Sequence, residues 1–307
     1  MDFGALPRTR GFDRTLAPIH PGTRTLLGRG DFLSAETLTI RLGAPQWTIP
    51  GFSRTLVDYA RSFEAIELNT AFYRVPTFDA ARVWAEETPV DFRFFVKMHQ
   101  ELSHEFTVWG NRALMAERMR AFVEGWRGLG EKWGGSFLQL PPALGRDRLG
   151  LLEGWLALYR ELDTARPLFV EFRAEDWFES RQLRREAARM LVAAGAGTVC
   201  TDTPGRRDAC HGTLTSPSLF VRFLGQSLET DAEPLGVDRE RLEGWIDRIE
   251  ELRASGLREV DFFLHTTDQV WVPELARIFI ERLADRGFRP RPWVGRFEPP
   301  APQLSLF

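Results

Sequence analysis

LFVEFR, residues 168–173, reads as a strand whose two faces ask for different surroundings. Side chains alternate along a strand, so Val170 and Phe172 fall on one face while Glu171 and Arg173 fall on the other. Seven more stretches share this layout: LTIRLG (38–43), AIELN (65–69), RFFVKM (93–98), SFLQLP (136–141), TVCTD (198–202), LFVRFL (219–224) and VDFFLH (260–265). One face collects Leu42, Ile66, Val96, Leu138, Val199, Val221 and Phe262. The other ends in Arg41, Glu67, Asn69, Lys97, Gln139, Glu171, Arg173, Asp202, Arg222 and His265. An apolar face calls for covering helices. A polar face repeated on eight strands calls for one shared interior.

Helical periodicity fills the intervals at 55–63, 80–88, 113–129, 148–162, 182–195, 241–256 and 274–287. Strict strand–helix alternation implies parallel strands with right-handed crossovers, and eight units favour closure. The predicted fold is therefore α/β, a closed (β/α)8 TIM-barrel-like parallel barrel over 38–288. An N-terminal extension (1–37) precedes it, and a proline-rich tail (289–307) follows. The link after the sixth strand, TDTPGRRDACHGTLTSPS (201–218), shows no helix. A long irregular loop on the catalytic side of a barrel is usually functional.

A length of 307 residues suits one such barrel. A net charge of −3 gives no global attraction to nucleic acid or anionic membrane. Cys200 and Cys210 make neither a disulfide framework nor a CxxC metal pair. The first residues lack an apolar signal core and no stretch approaches ~18 uninterrupted apolar residues, so a cytoplasmic location is expected. Of 40 basic residues only Lys97 and Lys132 are lysine, and the asparagines are Asn69 and Asn111. Arginine and lysine are not equivalent cations, so a surviving lysine on the inward parity, Lys97, attracts interest. Lys132 sits in an exposed-looking loop, and Asn111 reads as a helix N-cap.

GAPQW (43–47), EAIELNTAFYRVPT (64–77), FRFFVKMHQELSHE (92–105), FLQLPP (137–142), VEFRAEDWF (170–178) and VRFLG (221–225) occur in an order that resembles the YecE-like family of unknown function. The resemblance runs from about residue 38 to 287. It implies a barrel with a pocket at the strand C-termini and supplies no reaction. By motif match it marks Glu67, Asn69, Tyr73, Lys97, His104, Gln139, Glu171, Arg173, Trp177 and Arg222. The last strand, FFLHTT, departs from the family's asparagine-rich ending, which leaves any role for His265 open.

Barrel enzymes place their chemistry at the strand C-termini. Arg41, Lys97, Arg173 and Arg222 against Glu67, Glu171 and Asp202 leave room for an anionic ligand such as phosphate. A salt-bridge lattice that satisfies itself is the plain alternative. Glu67 and Glu171 are candidates for an acid/base pair. Lys97 either pairs with Glu67, the simpler reading, or forms a Schiff base if neighbouring cations depress its pKa. Glu67, His104, Glu171, Asp202, His211 and His265 are available to a divalent metal, but no HxH or HExxH spacing supports one. Trp47, Phe72, Tyr73 and Trp177 are candidates to stack on a sugar or base. QLSLF at the C-terminus resembles the peptide by which bacterial proteins dock on the DNA sliding clamp. Gln303 would then sit at the rim, with Leu304, Leu306 and Phe307 in apolar pockets. The leading expectation is a hydrolase on a phosphate-bearing or nucleic-acid-derived substrate, with Glu67, Lys97, Glu171 and Asp202 in catalysis. The alternatives are a non-catalytic, clamp-associated anion-binding module and a sugar or aldol enzyme unrelated to DNA.

Overall fold

The computed structural model describes residues 11–28, 38–163, 165–227 and 235–296. Eight parallel strands form a closed barrel: β1 (Thr39–Ala44), β2 (Ala65–Leu68), β3 (Arg93–Lys97), β4 (Trp133–Gln139), β5 (Leu168–Glu171), β6 (Gly197–Asp202), β7 (Ser218–Gly225) and β8 (Glu259–Thr266). Each pairs with its neighbours in sequence, and β1 closes on β8 from Thr39 opposite Glu259 to Gly43 opposite Phe263. The outer helices include α1 (Pro21–Leu27), α2 (Phe78–Glu86), α3 (Arg112–Trp126), α4 (Leu149–Leu162), α5 (Arg185–Ala193), α6 (Gly236–Arg253) and α7 (Val272–Asp285). Asn111 caps α3 as expected, its Oδ1 accepting from Leu114 N at 3.1 Å. Lys132 has more to do than its loop suggested: it donates to the carbonyls of Ala85 and Thr88 and closes the C-terminus of α2. No described helix is long and apolar enough to cross a membrane.

The outward parity builds the main core. Leu42, Ile66, Val96, Leu138, Val170, Val221 and Phe262 are buried in one cluster with the helices. The inward parity stacks in tiers. At the amino-terminal end Arg41 pairs with Asp261 at 3.0 Å and with Glu259 at 3.4 Å. Above it lies an aromatic tier of Phe95, Phe137, Phe169, Phe220 and Phe263, with Ala65 and Val199. Phe220 is its hub, with ring centroids 4.9–5.5 Å from the other four. Gly43 is the position with no room for a side chain: a Cβ there would meet the Ala65 carbonyl oxygen at 2.5 Å. The polar C-terminal ends of the strands form the third tier, and the phenylalanines are its dry floor.

Two local expectations change. The helix predicted at 55–63 is a single turn, Leu56–Tyr59. It ends where the buried Tyr59 hydroxyl accepts from Ala44 N at 2.7 Å and donates to Ala65 O at 2.8 Å, tying β1 to β2. Residues 11–28 wrap the outside of the barrel. The Thr23 hydroxyl accepts from Leu214 N at 2.7 Å, His20 N donates to Gly212 O at 2.9 Å, and Arg24 of α1 pairs with Glu251 of α6. This segment covers the helix-free link after β6. Gly212 is required there, because a Cβ would lie 1.9 Å from the Pro18 carbonyl oxygen. The predicted spacer also begins later than 289, since Trp293 stacks on Phe52 at 5.4 Å and Arg291 pairs with Asp91. Gln303, Leu304, Leu306 and Phe307 lie outside the described residues.

Candidate functional site

Six of the expected residues meet at the carboxyl end of the barrel: Glu67, Lys97, Gln139, Glu171, Arg222 and His265. Each follows an inward residue of the tier below by two positions, as in Phe95–Lys97, Phe137–Gln139, Phe169–Glu171, Phe220–Arg222 and Phe263–His265. Alternation alone therefore carries them to the mouth.

Arg222 organises the ring. Its Nε and Nη2 donate to the two oxygens of Glu67 at 2.9 Å each, and its Nη1 donates to Glu171 Oε2 at 2.8 Å. Glu171 also accepts from Gln139 Nε2 at 2.8 Å and from Thr201 Oγ1 at 3.0 Å. Glu67 accepts from His265 Nε2 at 3.1 Å. The carboxylates are 0% and 1% exposed. Buried charges persist only when paired and hydrogen-bonded, and here every carboxylate oxygen has a donor. Burial pushes both glutamates up, but Arg222, joined by His265 at Glu67 and by Arg173, Gln139 and Lys97 at Glu171, holds them below the usual carboxylate range. Arg222 is itself held well above its ordinary value, since the pull of the two carboxylates exceeds the effect of burial. Its guanidinium carbon lies 5.5 Å from the Phe137 ring centroid on the dry floor.

Lys97 is arranged differently. Among the described residues its ammonium has no hydrogen bond and no carboxylate within ion-pair distance. It stands over the Phe72 ring, 4.4 Å from the centroid. The expected Lys97–Glu67 ion pair does not form, because Glu67 is occupied by Arg222 and His265. Burial, then the charge of Arg222, pushes Lys97 down to about 8, with Glu171 and Glu67 opposing. His104 packs edge-on against the same Phe72 at 5.0 Å and is pushed down to about 4 by burial, with Lys97 adding to the effect. Asn69 follows the last residue of β2, whose register sets Leu68 opposite Val96 and so brings Asn69 alongside Lys97. Asn69 Oδ1 is buried with no hydrogen-bond partner among the described residues. Arg173 reaches to 3.8 Å of Glu171. Tyr73 stands at the rim, 73% exposed, with its ring edge on Phe72.

Four expected residues are elsewhere. Asp202 points outward. It binds Trp245 Nε1 at 2.9 Å and Arg241 Nη2 at 3.0 Å on α6, and pairs with Arg207. TVCTD offers apolar side chains at both Val199 and Cys200, so alternation does not say which faces in. Val199 joins the inner tier and Cys200 the outer core, and Thr201 occupies the mouth position assigned to Asp202. Arg41 faces inward but lies beneath the aromatic tier, with Asp261 and Glu259. Trp177 is fully buried: its Nε1 donates to Leu144 O at 2.8 Å and its ring packs on Phe172, so no ligand face remains. Trp47 packs edge-on against Trp84 of α2 at 5.9 Å. Thr201 was missed; the signal was its parity with the buried Val199.

For a metal, the donors do not converge. Among the described residues no three His, Cys, Asp or Glu side chains form a metal-holding group. His211 sits under the β6 link, bonded to Thr198 and Thr213. A groove of about 850 Å³ at the opposite, amino-terminal end is lined by Leu156, Pro167, Met190 and Gly197. Its Arg160 is committed to the carbonyls of Ala194, Gly195 and Arg166. Chemistry in this fold sits at the carboxyl end, so the mouth, not the groove, is the candidate site.

Residues 45–298 match the family described as "Protein of unknown function DUF72". The UPF0759 protein YecE of Escherichia coli (strain K12) is 27% identical over 293 residues, covering 87% of this chain and 100% of that protein. A DUF72 family protein from Enterococcus faecalis V583 superposes with a TM-score of 0.65 at 18% identity, over 80% of this chain and 98% of that one. One from Thermotoga maritima MSB8 gives 0.60 at 19% identity, over 80% and 99%. These likenesses carry the fold and leave the reaction open.

Proposed function

The chain belongs to DUF72, a family of unknown function, and on that footing we propose that its barrel mouth is a small-molecule active site for a substrate bearing one anionic group. The observation that carries this reading is the Lys97 ammonium, which has no ion-pair partner among the described residues. Three mouth cations, Lys97, Arg173 and Arg222, face two carboxylates, Glu67 and Glu171, and both carboxylates are already bound to Arg222. The Lys97 ammonium is the charge offered to a ligand, above an apolar floor that strengthens electrostatic attraction. Asn69 Oδ1 offers an acceptor beside it. Titrating the protein with inorganic phosphate by calorimetry tests the reading. Lys97→Met is expected to weaken binding by tenfold or more, the loss of roughly 1.5–3 kcal/mol for a hydrogen bond to a charged group. Equal binding by both proteins counts against it.

The two-carboxylate version of a hydrolase is poorly supported, since Arg222 keeps both glutamates ionised and neither is a ready acid. Phosphate-ester hydrolysis keeps one specific support. Glu67 accepts from His265 Nε2 and so orients the imidazole that would act on water. A panel of phosphomonoesters, phosphodiesters and nucleotides, with and without added divalent metal, tests this second reading. Recruitment to the bacterial DNA sliding clamp through Gln303, Leu304, Leu306 and Phe307 is a separate proposal, supported by the QLSLF pentamer and the prolines before it. Clamp binding lost on deletion of residues 303–307 is the expected result; no binding by the intact chain removes it.

A further inference from the structure

We infer that Lys97 is a covalent catalyst, whose amine condenses with the carbonyl of a small aldehyde or ketone that also carries a carboxylate or phosphate. The inference rests on the mouth being a substrate site and names the substrate class for it. Among the described mouth side chains the other reactive groups are tied. Glu67, Glu171, Gln139, Thr201 and Arg222 bind one another, and His265 is held by Glu67. Among the described residues of this ring, Lys97 presents an amine without a hydrogen bond, and it stands over Phe72 at 4.4 Å. An aromatic face beneath an amine shelters the neutral form and the imine from water.

The neighbouring cations favour the same chemistry. Burial and Arg222 bring Lys97 down to about 8. Near neutral pH this gives roughly two orders of magnitude more free amine than an ordinary lysine has. The free amine attacks the carbonyl carbon and a C–N bond forms. The carbonyl oxygen then leaves as water, carrying away the two protons that the nitrogen loses. A proton taken up from solvent, replacing the one the ammonium released to become the free amine, makes the imine cationic, so attraction for the anionic group survives.

The test is borohydride reduction in the presence of pyruvate, or separately of dihydroxyacetone phosphate, followed by peptide mass spectrometry. The two probes separate carboxylate from phosphate. Mapping is simple, because Lys97 and Lys132 are the only lysines and Lys132 is bound to helix carbonyls. Reduced adduct on Lys97 at least about tenfold above Lys132, rising with pH around 8, is the expected result with at least one probe. Lys97→Arg keeps the charge and removes the amine. It is expected to lose the adduct, whereas Lys132→Arg retains it. Phosphate binding without any Lys97 adduct overturns the covalent role and leaves the mouth reading intact. Absence of both binding and adduct overturns both. Adduct confined to Lys132 or the chain terminus also overturns the covalent role.

Discussion

Replacing Arg222 by methionine removes the one cation that both mouth carboxylates share. The variant keeps much of the aliphatic stem and loses three hydrogen bonds of 2.8–2.9 Å to Glu67 and Glu171. Neither carboxylate is exposed to water. Taking one side from a buried ion pair costs about 3–5 kcal/mol. Two acids are stranded here, but Gln139, Thr201 and His265 still donate to them. We therefore expect about 4 kcal/mol at pH 7, a fall in Tm of roughly 8 °C for a chain of this size. The pH dependence is the sharper test. In the parent both glutamates sit below their ordinary pKa, so the stability they contribute is present above that range and lost as pH falls. In the variant burial is opposed only by the remaining donors and charges, and their pKa values rise, so acid relieves the strain. The gap between parent and variant should be widest near pH 7–8 and narrow toward pH 4. Urea unfolding across that range measures it. A gap independent of pH, or a variant as stable as the parent at pH 7, would refute the account of the ring. A second readout is available: without Arg222 the Lys97 pKa should rise from about 8, moving the pH profile of amine labelling upward.

Asp202→Asn breaks pairs with Arg241, Arg207 and Trp245 on the outer side of β6. It should cost on the order of 3 kcal/mol in denaturant unfolding while leaving phosphate binding unchanged; selective loss of binding would return Asp202 to the mouth. Phe220→Ala removes the hub of the aromatic tier and should destabilise by about 3–5 kcal/mol, with a smaller effect locating the floor elsewhere. Asp261 is fully buried, has an unpartnered Oδ2 among the described residues, and is pushed up to about 7 by burial despite Arg41. A raised folded pKa means stability is fully present below the ordinary aspartate value and declines as pH rises toward 7, by up to about 1.4 kcal/mol per unit. Glu64, pushed up to about 7 by burial, adds the same sign. Asp261→Asn should flatten that slope, and unfolding midpoints at pH 5 and 7 in both proteins check it.

The barrel and most of the mouth were legible in the chain because strand alternation is a local property. Leu42, Ile66, Val96, Leu138, Val221 and Phe262 had to turn outward together, and Glu67, Lys97, Gln139, Glu171, Arg222 and His265 then had to share the interior. Alternation is silent when both parities are apolar, which is how Asp202 and Thr201 exchanged places. It also assigns a face but no height. Whether an inward residue lies at the mouth, as Lys97 does, or under the floor, as Arg41 does, depends on register and barrel closure. Partner choice is less local still. Arg222 meets Glu67 across 155 positions and Glu171 across 51, and that encounter is what leaves Lys97 without a carboxylate. A chain pattern can bring charges to one end of a barrel. Which of them neutralise one another, and which one stays available for chemistry, follows from distances of about 3 Å that exist only once the sheet has closed.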